Sequence, residues 1–240
     1  MTCNAIYGQP GFILKQRQYR ETSVIIDVFT QDFGRFSLLA KGVRKSKSKT
    51  AAVLQSFIPL SVSYLGKGEL KLLTSVEMAQ PPFELNGLAL YCGFYVSELI
   101  ICFLHQHDPH PDVFFDYMTC LAQLANATGS ELEAVLRVFE INLIEKIGYG
   151  LQLEFDFLNG QPINSAKKYA FDVEQGAYEN AQGYLSGSTL LALSAKTLHD
   201  PQVLSEAKLL MRSVIDFYLQ GRLLKSRQVI NQIIKRISNE

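Results

Sequence analysis

Five cations fall within nine positions, Lys41, Arg44, Lys45, Lys47 and Lys49, in a segment that begins AKGVRKSKSK at Ala40. Ammonium and guanidinium groups at this density can displace counterions from a phosphate backbone, so the chemistry they offer is anion binding. A solvated charged loop is the plainer reading of such a run, and the loop alone leaves both open. A second cluster, HQHDPHPD, sets His105, His107, Asp108, His110 and Asp112 within eight residues as possible metal ligands. Pro109 and Pro111 mark it as a link between helices, where polar residues collect for solvation, and a tetrahedral site needs side chains that converge. No metal is expected there. Arg137 is the only Lys or Arg between Pro82 and Glu145, within LRVFE. A lone cation beside Leu136, Val138 and Phe139 could receive a peptide carboxylate, or it could pair internally with Glu133 or Glu140 at helical spacing.

Catalytic signatures are missing. The sequence has no G-x-x-x-x-G-K-[ST] loop, no G-x-S-x-G elbow and no H-E-x-x-H helix, and Gly66-Lys67-Gly68 is short enough to be a hairpin turn. Neither an enzymatic role nor a nucleotide cofactor is expected. Cys3, Cys92, Cys102 and Cys120 form no C-x-x-C pair, which fits a reducing cytoplasm. No secretory leader is legible at the N-terminus.

The elements that must carry these residues change along the chain. GFILKQR (11–17), SVIIDVFT (23–30), GRFSLLAKGV (34–43), FIPLSVSYL (57–65) and ELKLLTSVEM (69–78) read as strands separated by turn signals. Five strands with one long basic connection suit an OB-fold barrel over 1–81. Alternation sets Phe36, Leu38 and Ala40 on one face and Arg35, Ser37, Leu39 and Lys41 on the other. By the same rule Lys15 and Arg17 share a face opposite Phe12 and Leu14. Tyr19, Phe29, Phe33 and Tyr64 are possible stacking platforms, each also a candidate for the core.

Beyond Pro81-Pro82 the pattern turns helical, giving a second domain over 82–240. Gly87–Leu104 is an 18-residue apolar run whose only charge is Glu98. A charge near the centre of a membrane span costs about 2.5–3.5 kcal/mol, and no Lys or Arg anchors either end, so a buried core helix is expected. Ser130 and Glu133 match a capping box and Gly148 a helix stop. Asp200-Pro201 reads as the start of a helix that runs to Gly221. Residues 152–186, punctuated by Gly160, Pro162, Gly176 and Gly183, read as an irregular or hairpin insertion. SRQVINQIIKRI then sets Val229, Ile230, Ile233, Ile234 and Ile237 on one helical face.

Formal charge is zero overall, yet it is segregated. Residues 1–80 carry 11 basic and 5 acidic side chains, 81–200 carry 5 and 15, and 201–240 carry 7 and 3. Basic ends around an acidic middle suggest an anionic partner at one surface and a different partner elsewhere.

ETSVIIDVFTQDFGRFSLLAKGVRKSKSK (21–49) and LQSFIPL (54–60) resemble the N-terminal signature of the RecO recombinational repair family. YCGFYVSELI, FFDYMTCL, LRVFEINLIEKIGYG and LKSRQV are similar to its later blocks, in the same order. The resemblance implies an α+β protein, an N-terminal five-stranded OB-fold followed by a helical domain, without catalysis. It also implies binding to single- and double-stranded DNA, annealing of complementary strands, and loading of RecA with RecR onto DNA coated by single-stranded DNA-binding protein. The expected DNA contacts are Lys15, Arg17, Arg35, Lys41, Arg44, Lys45, Lys47 and Lys49, with Lys225 and Arg227 of LKSR as a second patch or as partners of the acidic domain. The family segment implicated in holding the acidic, apolar tail of that binding protein matches LRVFE, which moves Arg137 from ion pair to ligand, with Phe94, Leu104 and Phe115 as candidate apolar lining. Many members carry four zinc cysteines where this sequence has none, in 152–186, so the resemblance does not extend to the metal. Localisation is expected to be cytoplasmic, nucleoid-associated when DNA is bound, without a membrane. Two other readings stay open: an OB-fold protein that binds structured RNA, and a metal-dependent nuclease built on the histidine cluster.

Overall fold

β-Branched and aromatic residues at alternate positions build five strands: β1 (Ala5–Tyr19), β2 (Ser23–Thr30), β3 (Gly34–Ala40), β4 (Leu60–Leu65) and β5 (Leu70–Met78). The computed structural model describes residues 5–44 and 49–237, apart from the side chains of 49 and 234–237. The strands close into a barrel in the order β1-β2-β3-β5-β4, antiparallel at every pairing except β3 with β5. This is the OB-fold arrangement. The 15-residue β1 serves two neighbours, pairing with β4 through Ala5–Gly11 and with β2 through Gly11–Tyr19.

Inward positions follow the period of two. Ile13, Ile26, Val28, Phe36, Leu38, Val62 and Tyr64 fill the barrel, and a short helix, α1 (Lys49–Val53), delivers Leu54 to the same core. Each fully buried side chain of this kind contributes about 1.5–3 kcal/mol. Arg35, Ser37 and Leu39 are only half-buried while Phe36, Leu38 and Ala40 are buried, as alternation requires.

The register of β1 departs from simple alternation. Ile13 pairs with Val28 but Lys15 with Asp27, so Leu14 is an extra residue in a bulge. Lys15 therefore lies on the outer face, where Phe12 also lies opposite Phe29, and not on the face opposite Phe12. On that outer face Phe12 and Phe29 meet Phe114 at 5.5 Å each, and Phe12 meets Tyr117 edge-on at 5.2 Å. A helical layer thus covers part of the barrel wall: α2 (Leu88–Phe103) and α3 (Pro111–Asn126). They are joined by a buried bond between Ser97 Oγ and the Tyr117 hydroxyl, 2.8 Å.

The apolar run at 87–104 is this buried α2, and no described helix is long and apolar enough to cross a membrane. Its one charge is satisfied, since Glu98 accepts from the Ser226 N–H at 2.8 Å and from the Ser226 hydroxyl. Ser226 lies in the first turn of α7 (Lys225–Ile237). Gly34 sits at φ 65°, and a Cβ there would come within 2.1 Å of the Asp108 carbonyl oxygen, so only glycine lets the segment after α2 lie against the barrel.

Strand gives way to helix across Pro81-Pro82, between Met78 and Leu88. Compact units follow a different line: residues up to Ala125 together with those from Ser226 form one, and Asn126–Lys225 form the other. The second unit contains α4 (Ser130–Lys146), a three-stranded sheet in the order β7-β6-β8, α5 (Gly187–Ser194) and α6 (Pro201–Leu219). The sheet is the expected insertion: β6 (Lys168–Asp172) and β7 (Gly176–Glu179) form a hairpin, and β8 (Leu185–Ser186) pairs on the other side.

Helix ends are set by capping. Asp200 accepts from the N–H groups of Gln202 and Val203, with Pro201 in the first turn, as the sequence indicates. At α4 the reciprocal bond lies two residues earlier than expected. Glu131 accepts from the Thr128 N–H at 2.9 Å and its hydroxyl at 3.3 Å, while Glu133 pairs with Lys208. T-x-x-E and S-x-x-E overlap here; Glu131 reaches back to Thr128, while the N-cap position is Gly129 and carries no side-chain cap bond.

Two buried carboxylates fasten the inserted sheet. Asp156 accepts from the N–H groups of Leu158 (2.8 Å), Asn159 (3.3 Å) and Glu179 (2.8 Å). Glu206 of α6 accepts from the N–H and hydroxyl of Ser186 and the hydroxyl of Thr189, all at 2.7 Å, and from Gln202 at 2.9 Å. Burial raises the Glu206 carboxyl, but these bonds outweigh it and bring it down to about 2. Asp156 is likewise held below its ordinary value by its donors against the opposing effect of burial.

Candidate nucleic-acid interface

One end of the barrel gathers the cations. β1 and β2 are joined there by Arg20-Glu21-Thr22, a turn made possible by Arg20 at φ 54°. The chain leaving β3 is stitched to that turn: the Arg44 N–H donates to the Thr22 carbonyl at 3.0 Å, and its guanidinium to the Arg20 carbonyl at 3.2 Å. Arg17, near the end of β1, and Lys41, just past β3, flank the stitch, and all four cations are exposed. Lys15 is exposed as well, beside Asp27 in the ladder. Among the described residues none of these five forms an ion pair. Arg20 escaped the sequence reading, because an isolated turn arginine carries no spacing signal; only the bond from Arg44 brings it into the group.

Other expected contacts are placed differently. Arg35 is turned away from this end: its guanidinium donates to the Leu104 carbonyl at 3.1 Å, and its own carbonyl accepts from the His107 N–H at 2.9 Å. Its outward position on β3 holds, and the segment after α2 lies against it and leaves it half-buried. Lys45 and Lys47 lie outside the described residues, and Lys49 is described only as the first backbone position of α1. Lys225 is exposed at the start of α7, whereas Arg227 donates to the Tyr95 hydroxyl at 3.3 Å and sits 5.6 Å over its ring.

Of the four aromatic platforms, Phe29 and Tyr64 are core residues at 0% and 2% exposure. Tyr19 is half-buried under the Arg20 guanidinium at 5.3 Å, and Phe33 is exposed, edge-on to Tyr64. The most exposed barrel aromatic is Tyr7, in β1.

The histidine segment disperses its side chains. His107 stacks on Phe36 at 5.8 Å with the Lys71 ammonium 3.3 Å from its ring, while His110 meets Asp108 at 3.1 Å. Burial and the Lys71 charge lower the His107 pKa against a smaller opposing effect of Glu69, and burial also lowers that of Lys71. Among the described residues no three such side chains converge on a metal position.

Arg137 is 8% exposed and paired with Glu140 at 2.6 Å, one turn on along α4, with Glu140 buried beneath it. Its Nε is buried without a hydrogen-bond partner. Of the candidate lining, Phe94 and Phe115 expose their rings, set against Phe57 at 5.0 Å and Phe114 at 6.1 Å. Leu104 is buried at the end of α2 and presents little surface to a peptide. These three belong to the first compact unit and Arg137 to the second.

Comparison with known proteins agrees with both halves of the chain. Residues 3–82 match the family model for the N-terminal part of recombination protein O, and residues 85–228 match that for its C-terminal part. DNA repair protein RecO of Methylococcus capsulatus is 42% identical over 222 residues, 91% of this chain and 90% of that protein. The proteins of the same name from Halorhodospira halophila and Actinobacillus succinogenes are each 39% identical, over 96% and 92% of this chain and 99% and 94% of theirs. A five-stranded barrel with a cationic end, two matching family models and relatives aligned nearly end to end lead to one conclusion: the chain belongs to the RecO family of DNA repair proteins.

Proposed function

We propose that this protein is a non-enzymatic mediator of DNA repair and recombination. It binds single- and double-stranded DNA through the cationic end of its barrel, anneals complementary strands, and with RecR loads RecA onto DNA coated by single-stranded DNA-binding protein. It works in the cytoplasm, at the nucleoid when DNA is bound. The observation that carries this reading is the exposed set Arg17, Arg20, Lys41 and Arg44, joined by the bonds from Arg44 to the β1–β2 turn.

Annealing needs phosphate repulsion neutralised while bases stay available for pairing, and cations on a curved wall do this without any leaving group, nucleophile or cofactor. Contacts to phosphate position a strand and read no sequence, so binding is expected to be nearly blind to base order. Arg137 is proposed to receive a carboxylate from the acidic, apolar tail of the DNA-coating protein. The tail's carboxylate would then compete with Glu140 for the guanidinium, whose Nε has no protein partner.

The test is a salt titration of binding to an oligo-dT strand by the wild type and by a variant with Lys41, Arg44, Lys45, Lys47 and Lys49 changed to Ala. Each lost phosphate contact should reduce the log-log slope by about 0.7, so five lost contacts should flatten it by about 3.5. An unchanged slope rejects the assignment, and tighter binding to structured RNA at matched salt would favour an RNA-binding role.

A further inference from the structure

The parallel ladder between β3 and β5 is short. It pairs Ser37–Leu39 with Leu70–Leu72 and stops, while β5 runs on to Met78 against β4 only. Where the ladder would have continued, a cleft of about 200 Å³ opens, lined by Ala40, Lys41 and Val43 on one side, Leu73–Val76 on the other, and Thr50 of α1. Because β3 and β5 run in the same direction, this cleft lies at the barrel end that carries Lys41 and Arg44.

Its chemistry is specific. Among the described residues three hydroxyl side chains, Thr50, Thr74 and Ser75, and one ammonium, Lys41, meet there, with no carboxylate. Successive residues of a regular strand point to opposite faces, so Thr74 and Ser75 would not normally serve one site. A second bulge removes that obstacle. Ser63 pairs with Ser75 but Tyr64 with Leu73, leaving Thr74 as the extra residue, and both Thr74 and Ser75 are exposed at the cleft. Bulges at barrel rims commonly re-aim a side chain in this way.

We infer that the cleft between the ends of β3 and β5 seats one phosphodiester of the bound DNA strand, with Thr50, Thr74 and Ser75 donating to its non-bridging oxygens and Lys41 neutralising it. This rests on the proposed role of the barrel end in binding DNA, and it adds hydroxyl donors to what is otherwise a set of long, mobile cations. Hydroxyl groups on a strand and a helix are held by the fold, so they fix where the backbone lies, while the surrounding lysines and arginines fix only its charge balance.

Thr74→Val with Ser75→Ala removes both hydroxyls and no charge. Affinity for an oligo-dT 12-mer at fixed salt should fall about tenfold, as expected for losing two hydrogen bonds to an anion, while the salt slope stays at the wild-type value. Thr74→Ser should retain wild-type affinity, and thermal unfolding should be unaffected because both side chains are exposed. An oligonucleotide with a methylphosphonate backbone should no longer distinguish wild type from the double variant. If the double variant binds oligo-dT as tightly as wild type while Arg17, Arg20 and Arg44 changed to Ala do not, the cleft is not a phosphate seat and the barrel-end reading stands. If wild type itself fails to bind DNA at low salt, the functional reading falls and the cleft assignment falls with it.

Discussion

Two regions of this molecule use the same residue types in opposite ways. On the barrel Lys15, Arg17, Arg20, Lys41 and Arg44 face solvent, the last four at one end, and none forms an ion pair among the described residues. In the unit spanning 126–225 six of the nine cations are seen paired with a carboxylate: Arg137 with Glu140, Lys167 with Glu179, Lys168 with Glu206, Lys196 with Glu145, Lys208 with Glu133 and Arg212 with Asp216. The contrast follows from composition, because 81–200 carry three times as many acids as bases whereas 1–80 carry about twice as many bases as acids. A cation with an acid in reach holds its own fold; one without is left to meet an anion from outside.

Glu206 offers the strongest way to break the comparison. If charge in 126–225 serves the fold, Glu206→Ala, which strands Ser186, Thr189, Gln202 and Lys168, should destabilise that unit by about 3–5 kcal/mol in urea unfolding followed by circular dichroism. Barrel-end DNA binding should keep its salt slope. The same carboxylate sets a pH dependence. Its folded value of about 2 lies below the ordinary 4.5, so its stabilisation is fully present above about pH 4.5 and is lost as pH falls toward 2. The difference corresponds to roughly 3 kcal/mol. Asp156 shifts in the same direction and adds to the loss. Unfolding midpoints between pH 5 and 2 should fall steeply for wild type and more gently for Glu206→Gln; parallel curves would mean the carboxylate is not what fastens the sheet.

Arg137 sharpens the comparison because it stands on both sides of it. As half of a buried pair, Arg137→Met should cost about 3–5 kcal/mol by leaving Glu140 buried without its cation, whereas Arg137→Met with Glu140→Leu should recover most of that stability. The double variant separates fold from ligand. If it is stable but no longer binds an acidic tail peptide, the guanidinium acts on the peptide; if it is stable and binds normally, Arg137 serves only the fold.

How much of this was legible in the sequence depended on whether a feature is local. The strand run of β2, the alternation in β3, the Asp200-Pro201 start of α6 and the stop at Gly148 were readable because each is decided within a few residues. The bulges at Leu14 and Thr74 were not, since a bulge is a mismatch between two strands far apart in sequence, and it moved Lys15 to the face that carries Phe12. Arg35 shows the same limit. Its outward direction was readable, but not that Leu104, 69 residues later, would accept from it. The pairing of Arg137 with Glu140 was readable as an i,i+3 possibility, whereas its burial depended on tertiary packing.

Arg35 and Arg17 form the finest test, because both are outward arginines on barrel strands and only one is covered. Arg35→Met should lower stability by about 1–2 kcal/mol through the lost bond to Leu104, and should leave the salt slope of DNA binding where it was. Arg17, Arg20 and Arg44 changed together to Ala should do the reverse. Each is exposed, and the one bond lost, from Arg44 to the Arg20 carbonyl, is itself at the surface, so unfolding should shift by less than about 0.5 kcal/mol per site. The slope should fall by about 2, near 0.7 for each phosphate contact. If Arg35→Met changed the slope as much as a barrel-end arginine does, then the covered and uncovered cations would not be doing different work, and the division between a region that binds outward and one that binds itself would have to be redrawn.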